Sequence, residues 1–460
     1  MIKAITGTKD ILPSDIQRWH YLENLLRQTF KTFNYREIRT PVFEETSLFA
    51  RGIGEETDIV SKEMYTFKDR SETSITLRPE NTAGVVRAFI EQSLGAQQSL
   101  NKLYYIGAMF RQERPQAGRL RQFHQFGAEA LGSTSPLLDG EMIEIAYQIL
   151  KNLGLKNLVV KINSLGVPDV REKYKIELRK FLLDKKDKLS EESRKRFDTN
   201  ILRIFDSKIE VDKQIMNNAP LLINYLDEQS KNDFDAVKNY LAKVEIPFEV
   251  DPALVRGLDY YTKTTFEIAS GSVGSQSALC GGGRYDLLVE ELGGKYTPAV
   301  GFAAGMERIL LACENEKSFI IPDNSIDVYL IRVDSKPKHN PKLDLEHDLE
   351  LELDLDLEHE LDPEHELDLK PDLHLPLANL ASKLRSKNLT CDYDYQNRSV
   401  KAQMREANKY NAKFVVFVGG DEFNNGEVSI KNMKTGEQKL IEINRLSLIV
   451  DAVKNNLQSK

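Results

Sequence analysis

The chain has 460 residues, 41% of them hydrophobic and 29% charged, which is typical of a soluble globular enzyme with material for about three domains. It has no run of about 18 apolar residues, and its first residues, MIKAITGTKD, lack an apolar signal core, so we expect a cytoplasmic protein without membrane insertion or export. The three cysteines, Cys280, Cys313 and Cys391, lack metal-ligand spacing, which argues against a structural zinc site.

One low-complexity segment accounts for the net charge of -8. From Leu343 to Leu375, Leu, His or Pro alternates almost strictly with Asp or Glu, and the segment carries 14 acidic residues and one Lys. The rest of the chain has a net charge of +5, and so does the part from Leu377 to Lys460. Dense like charge with proline breakers predicts a solvated surface insertion, with weak divalent-metal binding by its histidines as the alternative. The basic C-terminal part leaves room for a polyanionic partner.

The N-terminal part predicts two pairs of a helix and a strand. Residues 14–33 have the hydrophobic spacing of a helix, and a strand broken at Pro41 follows it. Asn34 stands between them, and asparagine tolerates positive φ better than most residues. Residues 74–90 then predict a strand, a turn and a helix. The junction of this second pair carries the polar residues Arg78, Glu80 and Thr82.

The segment from Phe110 to Glu129 predicts a β-hairpin with chemistry on one face. Successive strand side chains point to opposite faces, and the apolar positions share one of them. The other face carries Arg111 and Glu113 on the outgoing strand, and Arg121, Phe123, Gln125 and Glu129 on the return. The loop adds the donors Arg114, Gln116 and Arg119. Such a surface suits a charged planar ligand, and an amphipathic hairpin that faces water is the alternative.

Residues 169–245 predict a separate helical insertion, because Lys, Glu, Asp and Leu recur there at helical spacing without a glycine. A segment from Leu254 to Ile268 follows, in which Arg256 precedes a glycine turn and a tyrosine pair. The next, from Ala278 to Leu288, contains three consecutive glycines, which let backbone approach a ligand closely.

The last part of the chain predicts further mixed structure. Residues from Pro298 to Ala312 read as a strand passing into a helix, with Arg308 in its first turns. From residue 326 onward, strands and helices alternate around the acidic segment and end in a hairpin and a final helix. This order is typical of a mixed α/β module.

Together these patterns resemble the class II aminoacyl-tRNA synthetases. The first helix with its Pro41 strand is similar to motif 1 of that class, the hairpin to motif 2, and the strand and helix that carry Arg308 to motif 3. The segments at Leu254 and Ala278 are similar to two signature peptides of the histidyl-tRNA synthetase family, and the resemblance starts at GTKDILP, Gly7 to Pro13. The sequence contains neither the HIGH and KMSKS peptides of class I nor a P-loop.

The resemblance implies an α+β catalytic domain with a mixed, mainly antiparallel sheet, formed by residues 1–168 and 246–322. It further implies a helical insertion domain at 169–245 and a C-terminal α/β anticodon-binding domain at 325–460, which holds the acidic insert at about 338–376. Motif 1 implies a homodimer.

By resemblance, the reaction joins L-histidine to the 3′ end of histidine tRNA through a histidyl-adenylate, with ATP and Mg²⁺. The expected catalytic groups are Arg111 and Arg256. The expected ATP site is Arg111, Glu113, Arg121, Phe123 and Arg308. The expected histidine site is Glu80, Asn81, Thr82, Gln125, Glu129, Tyr260 and Tyr261. Arg114 and Gln116 are expected to read the extra 5′ guanosine of this tRNA, and no protein ligand for the metal is assigned.

Two other functions are open at this stage. One is a catalytically inactive regulatory subunit of histidine biosynthesis with the same fold, and the other is an RNA-binding sensor that uses the same pocket. The regulatory relatives have no anticodon module and lose the motif residues, whereas this chain keeps Arg111, Glu113, Arg256, Arg308 and the C-terminal module. Formation of an adenylate separates an enzyme from a sensor.

Overall fold

The computed structural model describes residues 2–54, 57, 59–116, 118–256, 258, 260–272, 278–318, 325–333, 373–443 and 450. They belong to two compact units, Met1–Pro322 and Asp323–Lys460. Within these ranges, no helix combines the length and the apolar character that crossing a bilayer requires.

The first unit contains two sheets and a set of surrounding helices. Its strands are β1 (Arg36–Glu37), β2 (Phe43–Glu45), β3 (Tyr65–Lys68), β4 (Ser74–Leu77), β5 (Asn101–Phe110), β6 (Gln122–Leu131), β7 (Leu158–Ser164), β8 (Phe248–Val250), β9 (Thr264–Ser270), β10 (Ala278–Arg284) and β11 (Ala299–Gly305). Its α-helices are α1 (Ile16–Thr32), α2 (Thr46–Ile53), α3 (Thr82–Glu91), α4 (Leu94–Gln97), α5 (Pro136–Asn152), α6 (Pro168–Leu183), α7 (Glu191–Asp198), α8 (Glu210–Met216), α9 (Glu228–Lys243), α10 (Leu288–Glu291) and α11 (Met306–Glu316).

The larger sheet has eight strands in the order β1-β5-β6-β11-β10-β9-β7-β8. The pairs β1 with β5 and β7 with β8 are parallel, and the other pairs are antiparallel. The smaller sheet has the order β2-β4-β3 and is antiparallel. The predicted mixed, mainly antiparallel catalytic sheet is therefore confirmed.

Aromatic side chains fill the core between the large sheet and helix α1. Buried residues of α1 recur every three or four positions, which is the spacing of one helix face. Phe30 stacks on Tyr104 of β5 with ring centroids 4.5 Å apart, and Phe126 of β6 meets Phe302 of β11 edge to face at 6.2 Å. The predicted turn after α1 is also present, with Asn34 at φ 60°.

The helical segment 169–245 packs against the rest of the first compact unit. It contributes α6 to α9 with short 3-10 turns between them, and it falls inside the first compact unit. Phe234, Val237 and Leu241 of α9 are buried in the same core as α1 and α5. The hydroxyl of Tyr240 also donates to Glu144 of α5 at 2.5 Å. Most of the charged residues are solvated as expected, but Asp212 and Asp233 are buried, and the apolar stripe of α9 is covered by the core that contains α1 and α5.

A buried ion pair fastens helix α5 to strand β10. Arg284, with 1% of its side chain exposed, donates from Nε to Asp139 of α5 at 2.9 Å and forms a second, very short bond to the same carboxylate. Its Nη1 contacts Asp286 at 3.1 Å, and its remaining donors reach the carbonyl oxygens of Ser133 and Ser135. One arginine therefore pairs with two buried carboxylates and also binds the backbone carbonyls that precede α5.

The second unit contains a five-stranded sheet in the order β13-β12-β14-β15-β16. Its elements are β12 (Val328–Val333), α12 (His374–Arg385), β13 (Cys391–Tyr393), α13 (Val400–Lys409), β14 (Phe414–Gly419), α14 (Gly420–Asn424), β15 (Glu427–Asn432) and β16 (Gln438–Glu442). Strands β13, β12 and β14 are parallel, and β15 and β16 continue the sheet antiparallel.

Helices cover both faces of this second sheet. Val328 and Leu330 of β12 pack with α12, whereas Tyr329 and Ile331 pack with Ala407 of α13. The predicted α/β module is confirmed. The acidic segment up to residue 372 and nearly all of the predicted final helix lie outside the described residues.

The arginine of the buried ion pair gives a test of stability. We expect Arg284→Met to lower the free energy of unfolding by about 3–5 kcal/mol, because Asp139 and Asp286 then remain buried without a cation. Urea unfolding, followed by the fluorescence of the chain's single tryptophan, Trp19, measures it.

The control is Lys68→Met, which removes an ion pair with Glu72 whose side chains are 65% and 77% exposed. Its effect should stay below about 1 kcal/mol. Equal urea midpoints for the two variants would contradict the importance of the buried pair.

Candidate active site

A cavity of about 230 Å³ is formed where the ends of β6, β10 and β11 meet the start of α11 and the 256–261 segment. Ten of the predicted site residues line it: Glu80, Thr82, Arg111, Glu113, Phe123, Gln125, Arg256, Tyr260, Tyr261 and Arg308. Stretches of chain that are far apart in sequence therefore contribute to one site.

Two cations, a carboxylate and a ring from the hairpin form one side of this cavity. The guanidinium of Arg111 lies 5.3 Å from the ring centroid of Phe123, and its Nε donates to the carbonyl of Pro79 at 2.9 Å. Glu113 contacts Arg111 at 3.7 Å and Arg119 at 3.2 Å. The prediction placed Arg111 and Glu113 on the outgoing strand, but β5 ends at Phe110 and both residues follow it.

The guanidinium of Arg256 forms an ion pair at one nitrogen and has an unpaired N–H donor at another. Its Nη1 donates to Glu267 of β9 at 3.0 Å, and its buried Nε has no hydrogen-bond partner among the described residues. A Cβ at Gly281 would overlap its guanidinium, so the glycine strand β10 is what allows Arg256 to lie there. An anionic ligand in the cavity could accept from this arginine.

Arg308 enters the cavity from the first turn of α11. Its Nη1 donates to the carbonyl of Ala278 at 2.8 Å. Burial lowers the pKa of Arg308, and the neighbouring Arg119 lowers it further. The preceding residue, Glu307, accepts from the backbone N–H of His124 at 2.9 Å and contacts its ring Nδ1 at 3.0 Å. Glu307 thereby fixes the start of α11 against β6, at the point where the β11 ladder ends.

Two buried carboxyl groups share Thr82 on the opposite side. Glu80 accepts the N–H groups of Thr82 and Ala83 at 2.6 and 3.0 Å and so caps the start of α3. The hydroxyl of Thr82 donates to Glu129 at 2.7 Å. Burial raises the pKa of Glu80, although the two backbone donors oppose the rise.

Glu129 lies fully buried in the centre of the large sheet. It accepts from the hydroxyls of Thr82 and Tyr285, and it faces Gly301 of β11, where a Cβ would overlap its carboxylate. Burial raises the pKa of Glu129 to about 8, and the bonds from Tyr285 and Thr82 limit the rise. Glu129 itself is behind the lining of the cavity and reaches it through these two partners.

Tyrosines and an amide complete the wall. The ring of Tyr260 lies 4.6 Å from that of Tyr261 and 5.5 Å from that of Tyr285. The Oε1 atom of Gln125 and the hydroxyl of Tyr105 are buried, and neither has a hydrogen-bond partner among the described residues. Gln125 lines the cavity, so its oxygen is an available acceptor for a donor on a ligand.

Four other predicted residues do not line the cavity. Arg121 turns to the N-terminal segment, where its Nη1 donates to the carbonyl of Thr6 at 3.3 Å. Asn81 accepts from Arg78 and Thr40 behind the site. Arg114 and Gln116 are exposed on the hairpin loop. Gln116 pairs with Arg119 through backbone bonds and borders a neighbouring cavity of about 310 Å³.

The prediction left three useful residues without a role. Tyr285 follows the triple glycine, Arg119 was named only as a loop donor, and Glu267 lies on β9 beside Gly281. The short spacing between Tyr285 and the glycines could have drawn attention to it. Nothing in the local sequence connects Glu267 to Arg256.

The cavity thus combines cations on one side with hydrogen-bonding acids and hydroxyls on the other. Arginines stabilise charge that develops on a phosphate, and the ring of Phe123 offers a stacking surface for a planar base. Buried acceptors favour a ligand that carries N–H donors. The site therefore suits phosphate chemistry on a small, nitrogen-rich molecule.

The shifted pKa of Glu129 predicts a pH-dependent stability. Because the folded pKa of about 8 exceeds the ordinary value of 4.5, the native protein retains a proton that the unfolded chain loses in between. The free energy of unfolding of the natural protein should therefore fall, relative to Glu129→Gln, as the pH rises from about 5 to about 8. Urea unfolding of both proteins at three pH values measures it, and parallel curves would show that Glu129 ionises normally.

Comparison with known proteins assigns the family. The model of the family "Histidyl-tRNA synthetase" matches residues 7–309, and that of "Anticodon binding domain" matches residues 369–453. The Histidine--tRNA ligase of Halothermothrix orenii is 43% identical over 453 residues, covering 98% of this chain and 99% of the relative. That of Caldanaerobacter subterraneus subsp. tengcongensis is 44% identical over 455 residues, covering 99% and 100%.

A solved structure agrees with the sequence relatives. The apo histidyl-tRNA synthetase of S. aureus superimposes with a TM-score of 0.76 at 35% identity, and the match covers 99% of each chain. The family model spans more than half of this chain, and it contains the hairpin, the glycine strand and the arginines described above. The chain belongs to the histidyl-tRNA synthetase family.

Proposed function

We propose that the chain activates L-histidine with ATP and transfers the histidyl group from the adenylate to the 3′ end of histidine tRNA. The observation that supports this most directly is the single cavity lined by Arg111, Arg256 and Arg308 and backed by the buried carboxyls of Glu80 and Glu129. Phosphate chemistry and amino acid recognition require these two kinds of group side by side.

The hairpin side is assigned to ATP. Phe123, with Arg111 over its ring, offers a stacking surface for adenine, and Glu113 is held nearby by Arg119. Arg308 brings a further cation to the same wall. The arrangement makes Arg119 a contributor to the ATP site in addition to the predicted residues, because it lines the cavity and Arg121 does not.

Adenylate formation follows from the cations. The carboxylate of histidine attacks the α-phosphate in line, the new bond forms a mixed anhydride, and pyrophosphate leaves. Negative charge accumulates on the phosphate oxygens during this step, and fixed donors stabilise it. Arg111 and Arg256 are the donors we assign, and the unpaired Nε of Arg256 is available for that contact.

Selection of histidine is assigned to the buried polar wall. An α-ammonium group needs acceptors such as Glu80 and the Oε1 of Gln125, and an imidazole presents two ring nitrogens. We assign the imidazole to Glu129, Tyr261 and Tyr285, because Tyr285 donates to Glu129 and the ring of Tyr260 contacts both Tyr261 and Tyr285. An apolar side chain would leave these groups unpaired, which discriminates strongly without an editing site.

Mg²⁺ is proposed to enter with ATP. The described residues contain no group of three or more His, Cys, Asp and Glu arranged to hold a metal ion. The lining carboxylates are already engaged: Glu80 with backbone N–H groups, Glu113 with two arginines and Glu307 with His124. These carboxylates therefore do not form a preformed protein site for the metal.

Contacts with tRNA and with a second subunit complete the proposal. Arg114 and Gln116 are exposed on the loop beside the cavity, where an acceptor end would reach the adenylate. The C-terminal unit is proposed to bind the anticodon. A homodimer through motif 1 is supported by the exposed apolar side chains Val42, Phe43 and Phe67 at the three-stranded sheet, with 43%, 51% and 49% exposure.

The regulatory reading is not favoured. A subunit without catalysis has no need for the buried, partly unpaired Arg256 or for the C-terminal sheet, and both are present.

Amino-acid-dependent exchange of pyrophosphate into ATP tests the proposal. We expect exchange with histidine alone among the twenty amino acids, since histidine alone satisfies the buried polar wall. If folded protein supports exchange with no amino acid, the enzyme proposal fails and the chain is a regulatory subunit or an RNA-binding sensor. Charging of a histidine tRNA transcript then tests the second step.

Removal of Arg256 should separate chemistry from binding. We expect Arg256→Ala to lower the kcat of exchange by about a hundredfold or more while histidine still binds in calorimetry, because the lost donor acts on the phosphate. Unchanged turnover would remove Arg256 from the mechanism.

Arg119 and Arg121 form a matched pair of substitutions. Because Arg119 lines the cavity and Arg121 contacts Thr6, we expect Arg119→Ala to raise the KM for ATP more than Arg121→Ala does. Steady-state exchange at varied ATP gives both values. A larger rise in KM for Arg121→Ala than for Arg119→Ala would instead support Arg121 as the ATP-binding residue, as strand alternation predicted.

A further inference from the structure

The helical segment 169–245 holds the tyrosine side of the cavity at two points. Near the start of α6, Arg171 donates from Nη1 to the carbonyl oxygen of Tyr261 at 2.6 Å. From α9, Asp233 accepts from Nζ of Lys263 at 2.8 Å, in a pair whose side chains are 12% and 17% exposed. Helices at the two ends of the segment therefore bind Tyr261 and Lys263, which are only two positions apart.

The gripped residues lead directly into the wall of the cavity. Tyr261 lines the cavity, and its ring lies against Tyr260, which contacts Tyr285, the donor to Glu129. Arg171 itself is not part of the lining. A shift of the Tyr261 carbonyl would therefore reach the buried carboxyl through three aromatic rings.

Backbone bonds also hold the two residues that follow Tyr261. The N–H of Thr262 donates to the carbonyl of Arg284 at 2.8 Å, and the carbonyl of Lys263 accepts from Leu165 at 2.7 Å. Tyr261 is the residue before these bonds, and its own carbonyl is held by Arg171. A hydrogen bond from a charged donor is stronger than an ordinary backbone bond.

The same helical segment also approaches Arg256. Asp206, at the end of the 3-10 turn Ile201–Asp206, lies near enough for its carboxyl to interact electrostatically with the Arg256 guanidinium. Burial raises the pKa of Asp206, and the guanidinium of Arg256 is among the cations that oppose the rise. The segment therefore also contributes to the charge environment of Arg256, a residue that lines the cavity.

We propose that Arg171 and Asp233 are positioning residues for histidine recognition: they fix Tyr261 and Lys263 and thereby set the amino acid side of the cavity. The inference rests on the proposed function. It gives the helical segment a role in the first half-reaction, before any tRNA binds.

The ATP side should be insulated from this effect. Arg111 and Phe123 belong to the hairpin and have their own contacts, with Pro79 and with each other. A change at Tyr261 should therefore alter the KM for histidine and leave the KM for ATP nearly constant. A general loss of folding would alter both.

Pyrophosphate exchange by full-length variants tests this. We expect Arg171→Ala to raise the KM for histidine about tenfold, with the KM for ATP within about twofold of the natural protein. Asp233→Ala should shift the same constant in the same direction, and Arg171→Lys should restore part of the loss. The control is Lys180→Ala, which removes from the same helix an exposed pair with Glu177 and should change neither constant.

The outcomes are distinguishable. An unchanged KM for histidine in both Arg171→Ala and Asp233→Ala, or an equal rise in both KM values, would overturn the inference. If Arg171→Ala does not fold, Asp233→Ala and Arg171→Lys decide it by the same split. If the natural protein shows no histidine-dependent exchange, the proposed function fails by itself, and calorimetric affinity for histidine in the same variants decides the inference.

Discussion

A carboxyl group buried in the middle of the large sheet is the constraint on which the rest of the site depends. Glu129 lies on β6 between β5 and β11, with no exposed surface. Burial of such a group is unfavourable without donors, and neither neighbouring strand offers a side-chain donor to it. The hydroxyls come instead from Thr82 at the start of α3 and from Tyr285 after β10. Satisfying one acid therefore brings together three stretches that are remote in sequence, and the cavity lies in front of them.

Periodicity was sufficient for most of the fold. Helix α1, the β5–β6 hairpin, the β4–α3 junction, the β11–α11 junction and the order of the C-terminal elements from β12 to β16 all follow from regular spacing, and all are present. These elements have strong internal patterns because each buries one face. The positive φ of Asn34 was likewise readable from its place between a helix and a strand.

Alternation failed where the strands end. It assigns a face only while the backbone stays extended, and β5 ends at Phe110. Arg121 consequently turns to Thr6, although its parity matched that of Phe123. Asn81 shows a different limit, because a residue between two site residues can point away when a buried arginine such as Arg78 binds it. Tyr285 and Glu267 could not be assigned, since their partners are selected by the packing of the sheet.

The helical segment illustrates why an amphipathic pattern does not identify a boundary. Its charged spacing correctly indicated solvated faces, but an apolar stripe does not say which body covers it. In the structure the stripe of α9 is covered by α5, and charged residues of α6 and α9 reach the tyrosine stretch. The helical segment is therefore part of the core and contacts residues beside the cavity, although its composition suggests a separate surface insertion.

The overlap between Arg256 and any side chain at position 281 ties two positions together over evolutionary time. While Arg256 is retained, any side chain at position 281 would have to displace its guanidinium from its present place. If Arg256 acts on the phosphate as proposed, a descendant that abandoned catalysis would be released from both restrictions at once. Loss of the arginine together with the appearance of alanine or serine on the glycine strand would therefore mark lineages that have become non-catalytic, using sequence alone.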